Sequence, residues 1–520
     1  MRTADLILHN ANVLTPRASK ASVLNLEDYP RRLVAIQDGK ILAIARTEAL
    51  GEFKGPRTVV IDCHGKTVLP GFIDAHCHLV ALAKSLVNLN LGPAKVHSIF
   101  DIQREIENLA SSLPPGKWIR AEGYNEFYLA EGRHPTCWDL DKATLAHPVK
   151  LTHRSGHAHV LNSLALALTG IARETPEPPG GIIERDWETG EPNGLLYDMG
   201  DFLDKRVPSL GDDELDRGIK LANRELLSLG ISSVQDATPN TMAQWHLFQR
   251  WSGEEYLKCR LNLMLGKEGF QQYQEGQLNA KDSKIRLGGV KIILQETTGQ
   301  LYPSWQKLEQ LASRIHQAKL QIAFHAVEET TIEAAYSVLE HVLKKSPRAN
   351  HRHRIEHCSV CPLETAKRLA SLGIVVVTQP AFICYNGERY LKTVPQRQLQ
   401  HLYPIATLLK AGVKVAAGSD CPVIPPNPLI GIYGAVSRRA ETGESVTPEE
   451  GISLVEALQM YTENAAYASF EEATKGSITP RKLADLVVLS DDLTKMPIEE
   501  IKNLEVEMTI VGGEMVYRGS

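Results

Sequence analysis

Leu69-Pro-Gly-Phe-Ile-Asp-Ala-His-Cys-His-Leu79 places two imidazoles one residue apart at the end of an apolar run that begins at Val68. If Gly71 to Cys77 is a buried strand, residues i and i+2 share a face, so Asp74, His76 and His78 point the same way. Two histidines leaving a strand end side by side make a two-point clamp for a metal ion. Taken alone, the pair reads more readily as a hydrogen-bonded detail of a core or loop than as a ligand pair. Its meaning turns on what the later strand ends carry.

Further along, hydrophobic periodicity alternates between helix and strand. Asp212 can cap a helix with Leu215, Ile219, Ala222, Leu226 and Leu229 on one face, closed by Gly230 and followed by a strand from Ile231 to Asp236. More strands are expected at Cys259 to Leu265, Ile285 to Leu294, Leu320 to Ala326, His353 to Cys358, Ile374 to Gln379 and Val413 to Ser419. Amphipathic helices lie between several of them, as at Trp305 to Ala318 and Pro362 to Leu372. With the His76 strand first, eight strands with helical crossovers suggest an α/β fold of the (β/α)8 TIM-like barrel type, in which functional groups sit at the C-terminal strand ends. A doubly wound open sheet is the alternative, but no Gly-rich phosphate loop follows any strand.

Both ends of the chain read as short alternating strands broken by turns, so residues 1–69 and 476–520 are expected to build one small β-sandwich accessory domain. The barrel then spans 70–475. Residues 80–210 are too many for one crossover and mix strand with helix, which suggests an inserted subdomain after the first barrel strand, covering the barrel mouth.

Composition narrows the partners. A chain of 520 residues exceeds the roughly 250–300 at which single cores stop growing, so a large domain plus a smaller one is expected. A formal charge of -5 offers neither a basic stripe for nucleic acid nor an acidic tail, and points to a small-molecule partner. No run reaches the roughly 20 apolar residues of a membrane span and the start lacks a signal-peptide core, so a cytoplasmic protein without membrane contact is expected. Eight scattered cysteines do not form a disulfide framework, and most are expected as reduced thiols.

Polar residues at the C-terminal ends of the barrel strands make a short set: His76, His78, Lys291, His325, His357 and Asp420. Four histidines and a carboxylate at one mouth match the nitrogen and oxygen ligands of zinc or a similar divalent ion, with room for water. Such an ion lowers the pKa of bound water to about 7 and polarises a carbonyl, so hydrolysis of a C–N bond is a natural reaction.

These residues carry a resemblance. Pro70-Gly-Phe-Ile-Asp-Ala-His-Cys-His78, Gly289-Val-Lys291, Phe324-His325-Ala326, His353-Arg-Ile-Glu-His357 and Gly418-Ser-Asp420 stand in the order seen in the amidohydrolase superfamily. The chain resembles its branch of N-substituted formamide deformylase-like and D-aminoacylase-like amidases, and Gly476-Ser-Ile478 with Ala484-Asp-Leu-Val-Val-Leu489 extends the likeness toward the C-terminus. The resemblance implies one or two divalent ions, zinc first, held by His76, His78, His325, His357 and Asp420, with Asp420 also general acid and base. It aligns Lys291 with a carbamylated lysine that bridges two metals, and the apolar Val290, Ile292, Ile293 and Leu294 favour that modification by burying the amine. It implies a homodimer as well. His157, in Arg154-Ser-Gly-His-Ala-His159, resembles a family segment that faces the active site, where it would polarise the substrate carbonyl. Gln379 and Tyr385 are expected to line the pocket, as are Phe382, Tyr390, Trp118, Tyr124 and Phe127. Where relatives often show Asp-Gly after the lysine, Gln295-Glu-Thr-Thr-Gly299 stands here; Glu296 is either a further pocket acid or solvated.

The expected function is hydrolysis of an amide, formamide or N-acyl C–N bond other than a peptide bond. A metal-activated hydroxide attacks, His157 stabilises the oxyanion, and Asp420 passes the water proton to the leaving amine. A deaminase or cyclic-amide hydrolase on the same site, or a regulatory member without turnover, are the alternatives.

Overall fold

A computed structural model describes residues 3–16, 31–276, 284–296 and 301–519. Thr297-Thr-Gly299 of the departing stretch lies outside the described residues. Eight strands, here β1 (Phe72–Cys77), β2 (Ile231–Asn240), β3 (Arg260–Leu265), β4 (Ile285–Ile293), β5 (Ile322–Ala326), β6 (Arg354–His357), β7 (Val375–Thr378) and β8 (Lys414–Ala417), pair in parallel and in chain order. Near-continuous apolar runs such as Val375-Val-Val377 and Val415-Ala-Ala417 suit strands buried on both faces, as parallel sheets require.

The two ends of this sheet meet. Asp420 N donates to His76 O at 2.7 Å and His78 N donates to Cys421 O at 2.9 Å, which nearly closes the barrel. A Cβ on Gly418 would lie 2.5 Å from His76 N, so only glycine lets the backbones come this close.

The chain divides into two compact units, one of Met1–His78, Asn223–Ile293 and Trp305–Ser520, the other of Leu79–Ala222 and Leu294–Ser304. In the first unit, strands from both termini form a second sheet: Leu6–Val13, Arg32–Gln37, Lys40–Arg46, Val59–Asp62, Thr67–Pro70, Leu486–Leu489, Val506–Val511 and Glu514–Arg518. Asn10 sits at a bulge inside one strand, with φ 54 and a register shift between Leu8 and Ala11. The second unit is built on six strands in the order Ile182–Arg185, Pro192–Tyr197, Ala158–Leu161, Val149–His153, Ile119–Tyr124, Leu89–Asn90. Tyr124, expected at a pocket, is 0% exposed and packs in the core of that unit. Among the described residues no helix is long and apolar enough to cross a membrane. All eight cysteines are free and buried.

At the N-terminal end of β5 and β6 lies a row of buried histidines. His316 Nδ1 and His353 Nε2 are 2.8 Å apart, His353 Nδ1 accepts from Ile322 N at 3.0 Å, and His351 Nδ1 accepts from His353 N at 2.8 Å. Burial, with the Arg348 guanidinium close by, holds all three rings below the ordinary imidazole pKa, His353 the furthest. In the unfolded chain these rings titrate near about 6.5. Below that pH the unfolded state binds more protons than the folded one, so stability present at neutral pH is lost as pH falls. Thermal unfolding from pH 8 to pH 5 is therefore expected to show a falling Tm below about pH 6.5, before ordinary carboxylates titrate. A Tm flat across that window would contradict this reading.

Candidate metal centre

Four strand ends and the loop after β8 deliver the six expected side chains to one place in the first unit. His76 and His78 come from the end of β1, Lys291 from β4, His325 from β5, His357 from β6 and Asp420 from beyond β8. Parallel registry makes this possible: Ile293 pairs with His325, and Ala326 with His357, so the strand ends stay level. His76, His357 and Asp420 bring ligand atoms within 4.8 Å of one another. Asp420 Oδ1 lies 3.0 Å from His78 Nε2 and 3.3 Å from His76 Nε2. His357 Nε2 lies 2.9 Å from His325 Nδ1, and Lys291 Nζ lies 3.5 Å from His76 Nε2.

The outward-facing ring nitrogens decide which lone pairs face inward. His76 Nδ1 sits 2.5 Å from Glu356 Oε2, and an ionised carboxylate only accepts, so Nδ1 carries a proton and, in the neutral ring that ligates a metal, Nε2 is bare. His357 Nδ1 donates to Gln379 Oε1 at 2.9 Å, which leaves its Nε2 bare as well. His78 Nδ1 lies 3.0 Å from Thr238 Oγ1. Burial brings the His357 pKa down to about 3, so this ring is neutral, the form that ligates a metal. Burial opposes the ionised Asp420, but the contacts from His76 and His78 outweigh it and hold the carboxyl well below the usual range. Burial also lowers Lys291 to about 8, although Glu356 and Asp420 pull the other way.

These groups fit a divalent cation. A bare His76 Nε2 faces a carboxylate oxygen, and a bare His357 Nε2 faces another imidazole nitrogen. Such pairs repel unless a proton or a cation lies between them. His357 and Asp420 also hold left-handed backbone, φ 71 and φ 60, which costs non-glycine residues about 1–3 kcal/mol each and concentrates at functional sites. Beside them Asp74, Cys77 and Cys421 form a second group of potential ligands. Asp74 already accepts from Ser419 N at 3.0 Å, Ser419 Oγ at 2.5 Å and His76 N at 3.1 Å. The contact with Cys421, then burial, pushes the Cys77 thiol well up, so this group keeps its proton and works as packing.

Other expected residues are placed differently. Gln379, expected to line the pocket, is 0% exposed and serves as the acceptor for His357. Tyr385 lies on helix Ala381–Thr393 and packs, half-buried, against the cluster containing Phe382 and Tyr390. Glu296 is exposed, and both it and His157 belong to the second unit. His157 is 50% exposed, with Nδ1 2.6 Å from Asp198 Oδ1. Sequence reasoning passed over Glu356 and Arg354. The signal was there: opposite charges at i and i+2 on a wholly buried strand have to be paired.

The sequence profile of the amidohydrolase family matches residues 59–517. An N-substituted formamide deformylase from Arthrobacter pascens is 29% identical over 99% of this chain and 98% of its own length. Protein LONG AFTER FAR-RED 3 of Arabidopsis thaliana is 27% identical over 99% of this chain and 92% of its own. Among solved structures, an uncharacterized metal-dependent hydrolase from Pyrococcus horikoshii superposes with a TM-score of 0.73 at 22% identity, covering 95% of this chain and 99% of its own. A zinc-bound adenosine deaminase from Xanthomonas campestris gives 0.56 at 13% identity, covering 99% and 93%.

Elemental analysis of the purified chain is expected to find about one to two divalent ions per molecule. The double substitution His76→Ala/His357→Ala is expected to abolish that content while leaving the circular dichroism of the barrel in place. Metal retained by the double variant would place the ion elsewhere.

Proposed function

We propose that this chain, which belongs to the amidohydrolase family, hydrolyses an amide, formamide or N-acyl C–N bond of a small molecule in the cup closed by Asp420. One observation carries the reading: imidazole nitrogens crowd around an ionised carboxylate at the C-terminal end of the barrel. Ends of this kind are where barrel enzymes do their chemistry. His76, His78, His325, His357 and Asp420 would hold the ion, and a nitrogen and oxygen donor set suits zinc. When bound, a divalent ion polarises the carbonyl and makes water nucleophilic near neutral pH.

The chain's own groups account for the proton movements. Asp420, ionised in the fold, accepts a proton from the attacking water and returns it to the leaving nitrogen. The water oxygen joins the acyl carbon, the C–N bond breaks, and a carboxylate and an amine leave. Lys291 has the burial and the lowered pKa that let its neutral amine add to CO₂. The new N–C bond forms as the amine loses a proton, giving an anionic carbamate that can bridge two ions where an ammonium cannot. His157 is proposed as the donor to the developing oxyanion in its doubly protonated form, with Asp198 accepting from Nδ1–H and orienting the ring so that Nε2–H donates. Ordinary net charge and the absence of a basic stripe support a small-molecule substrate.

The test is turnover across a panel of N-substituted formamides, N-acyl amino acids, simple amides and cyclic amides. Asp420→Asn is expected to lower kcat about 10²- to 10⁴-fold with the ion retained. An unchanged rate would remove Asp420 from the chemistry, and ammonia released from a heterocycle would move the reading to deamination. Lys291→Ala is expected to lose activity and to regain part of it with added short carboxylic acids, which supply the missing bridging anion. Full activity in Lys291→Ala without such additives would contradict the carbamate.

A further inference from the structure

Glu356 lies on β6 beside a candidate ligand, and no part of the proposed chemistry uses it directly. It is 0% exposed, as is Arg354 two residues earlier. Arg354 grips it with two nitrogens: Nε on Oε1, and a terminal nitrogen on Oε2 at 2.9 Å. The remaining guanidinium donors reach Gln235 Oε1 on β2 at 2.6 Å and Ala75 O on β1 at 2.7 Å. Glu356 Oε2 also meets His76 Nδ1 at 2.5 Å. Both carboxylate oxygens are thus taken by protein donors, so Glu356 acts through the His76 ring. Burial opposes its charge, but Arg354 and His76 hold the carboxyl far below the usual range.

A neutral imidazole has one proton and two nitrogens, and only the unprotonated nitrogen can ligate a metal. We infer that Glu356 is a positioning residue: by accepting the Nδ1 proton of His76 it fixes the tautomer whose bare Nε2 faces Asp420, and Arg354 pins Glu356 where it can do so. The inference rests on the reading of the cup as a metal centre. It also explains an expensive feature, since a buried ion pair seldom adds stability over apolar residues of similar volume. Here the pair ties β1, β2 and β6 together beneath the ligands and sets the proton on one of them.

Glutamine at this position makes a sharp probe. The Arg354 fork needs an acceptor, so the amide oxygen of Glu356→Gln turns to Arg354 and its NH₂ turns to His76 Nδ1. The ring proton is then driven to Nε2, and the ligand is blocked. Competition between full-length zinc-loaded protein and a chromophoric chelator measures the consequence. Glu356→Gln is expected to hold zinc about 10- to 100-fold more weakly than the unaltered chain, the range for outer partners of metal-ligating histidines. Glu356→Asp, which keeps an anionic acceptor, is expected to recover most of that loss, a rescue that simple packing would not give. If Glu356→Gln does not fold, Arg354→Met/Glu356→Leu replaces the pair by apolar groups and is expected to fold with the same weakened zinc binding. A folded variant lacking the carboxylate that holds zinc within about threefold of the unaltered chain would overturn the positioning role. An unaltered chain that takes up no zinc or other divalent ion would overturn the metal reading itself, and this inference with it.

Discussion

Lone pairs of the same polarity do not share a small, dry volume unless something positive lies among them. At the C-terminal mouth of this barrel, His76 Nε2 and His357 Nε2 both face inward without a proton, and Asp420 Oδ1 stands 3.3 Å from the first. Burial lowers the His357 pKa and so favours the neutral ring, while Asp420 stays ionised. Protons relieve it only in part: the Nδ1 protons of His76 and His357 are turned outward to Glu356 and Gln379, which leaves Lys291, with Nζ 3.5 Å from His76 Nε2, as the nearest inward donor. A cation relieves it at once, and the hydrolytic reading follows from that need.

The scaffold builds this arrangement from a few devices. Parallel strands put His325 and His357 at adjacent levels and Lys291 two residues deeper, level with Ala323, and Gly418 lets the last strand approach His76 closely enough to bring Asp420 in from the far edge. Left-handed backbone at His357 and Asp420 aims their side chains, at about 1–3 kcal/mol each. That strain is a sizeable part of the roughly 5–15 kcal/mol by which domains are stable. Apolar strands buried on both faces, Val375-Val-Val377 and Val415-Ala-Ala417 among them, offset it. Strained ligands on strong strands are what a site shaped for binding, rather than for its own stability, should show.

Much of this was legible from the chain itself. The His76 and His78 spacing, the apolar runs before most later ligands and the helical periods between strands led to eight strands and to all six side chains of the cup. Legibility failed where meaning depends on the partner across space. Gln379 follows a strand as a pocket residue would, but its use is set by the Nδ1 of a histidine twenty-two positions earlier in the chain. Glu356 stood inside a recognised motif, yet its pairing with His76 spans 280 positions and leaves no local period. Leu294–Ser304 belongs with Leu79–Ala222 in one compact unit, a link between distant segments that no periodicity shows.

The central claim is that a cation sits where these lone pairs converge, and diffraction at a metal absorption edge addresses it most directly. The account predicts an anomalous peak about 2.0–2.2 Å from His76 Nε2, His357 Nε2 or Asp420 Oδ1, with the Nδ1 of His76 still turned to Glu356. Crystals grown with zinc that show no peak there, or show it among Asp74, Cys77 and Cys421 instead, would contradict it.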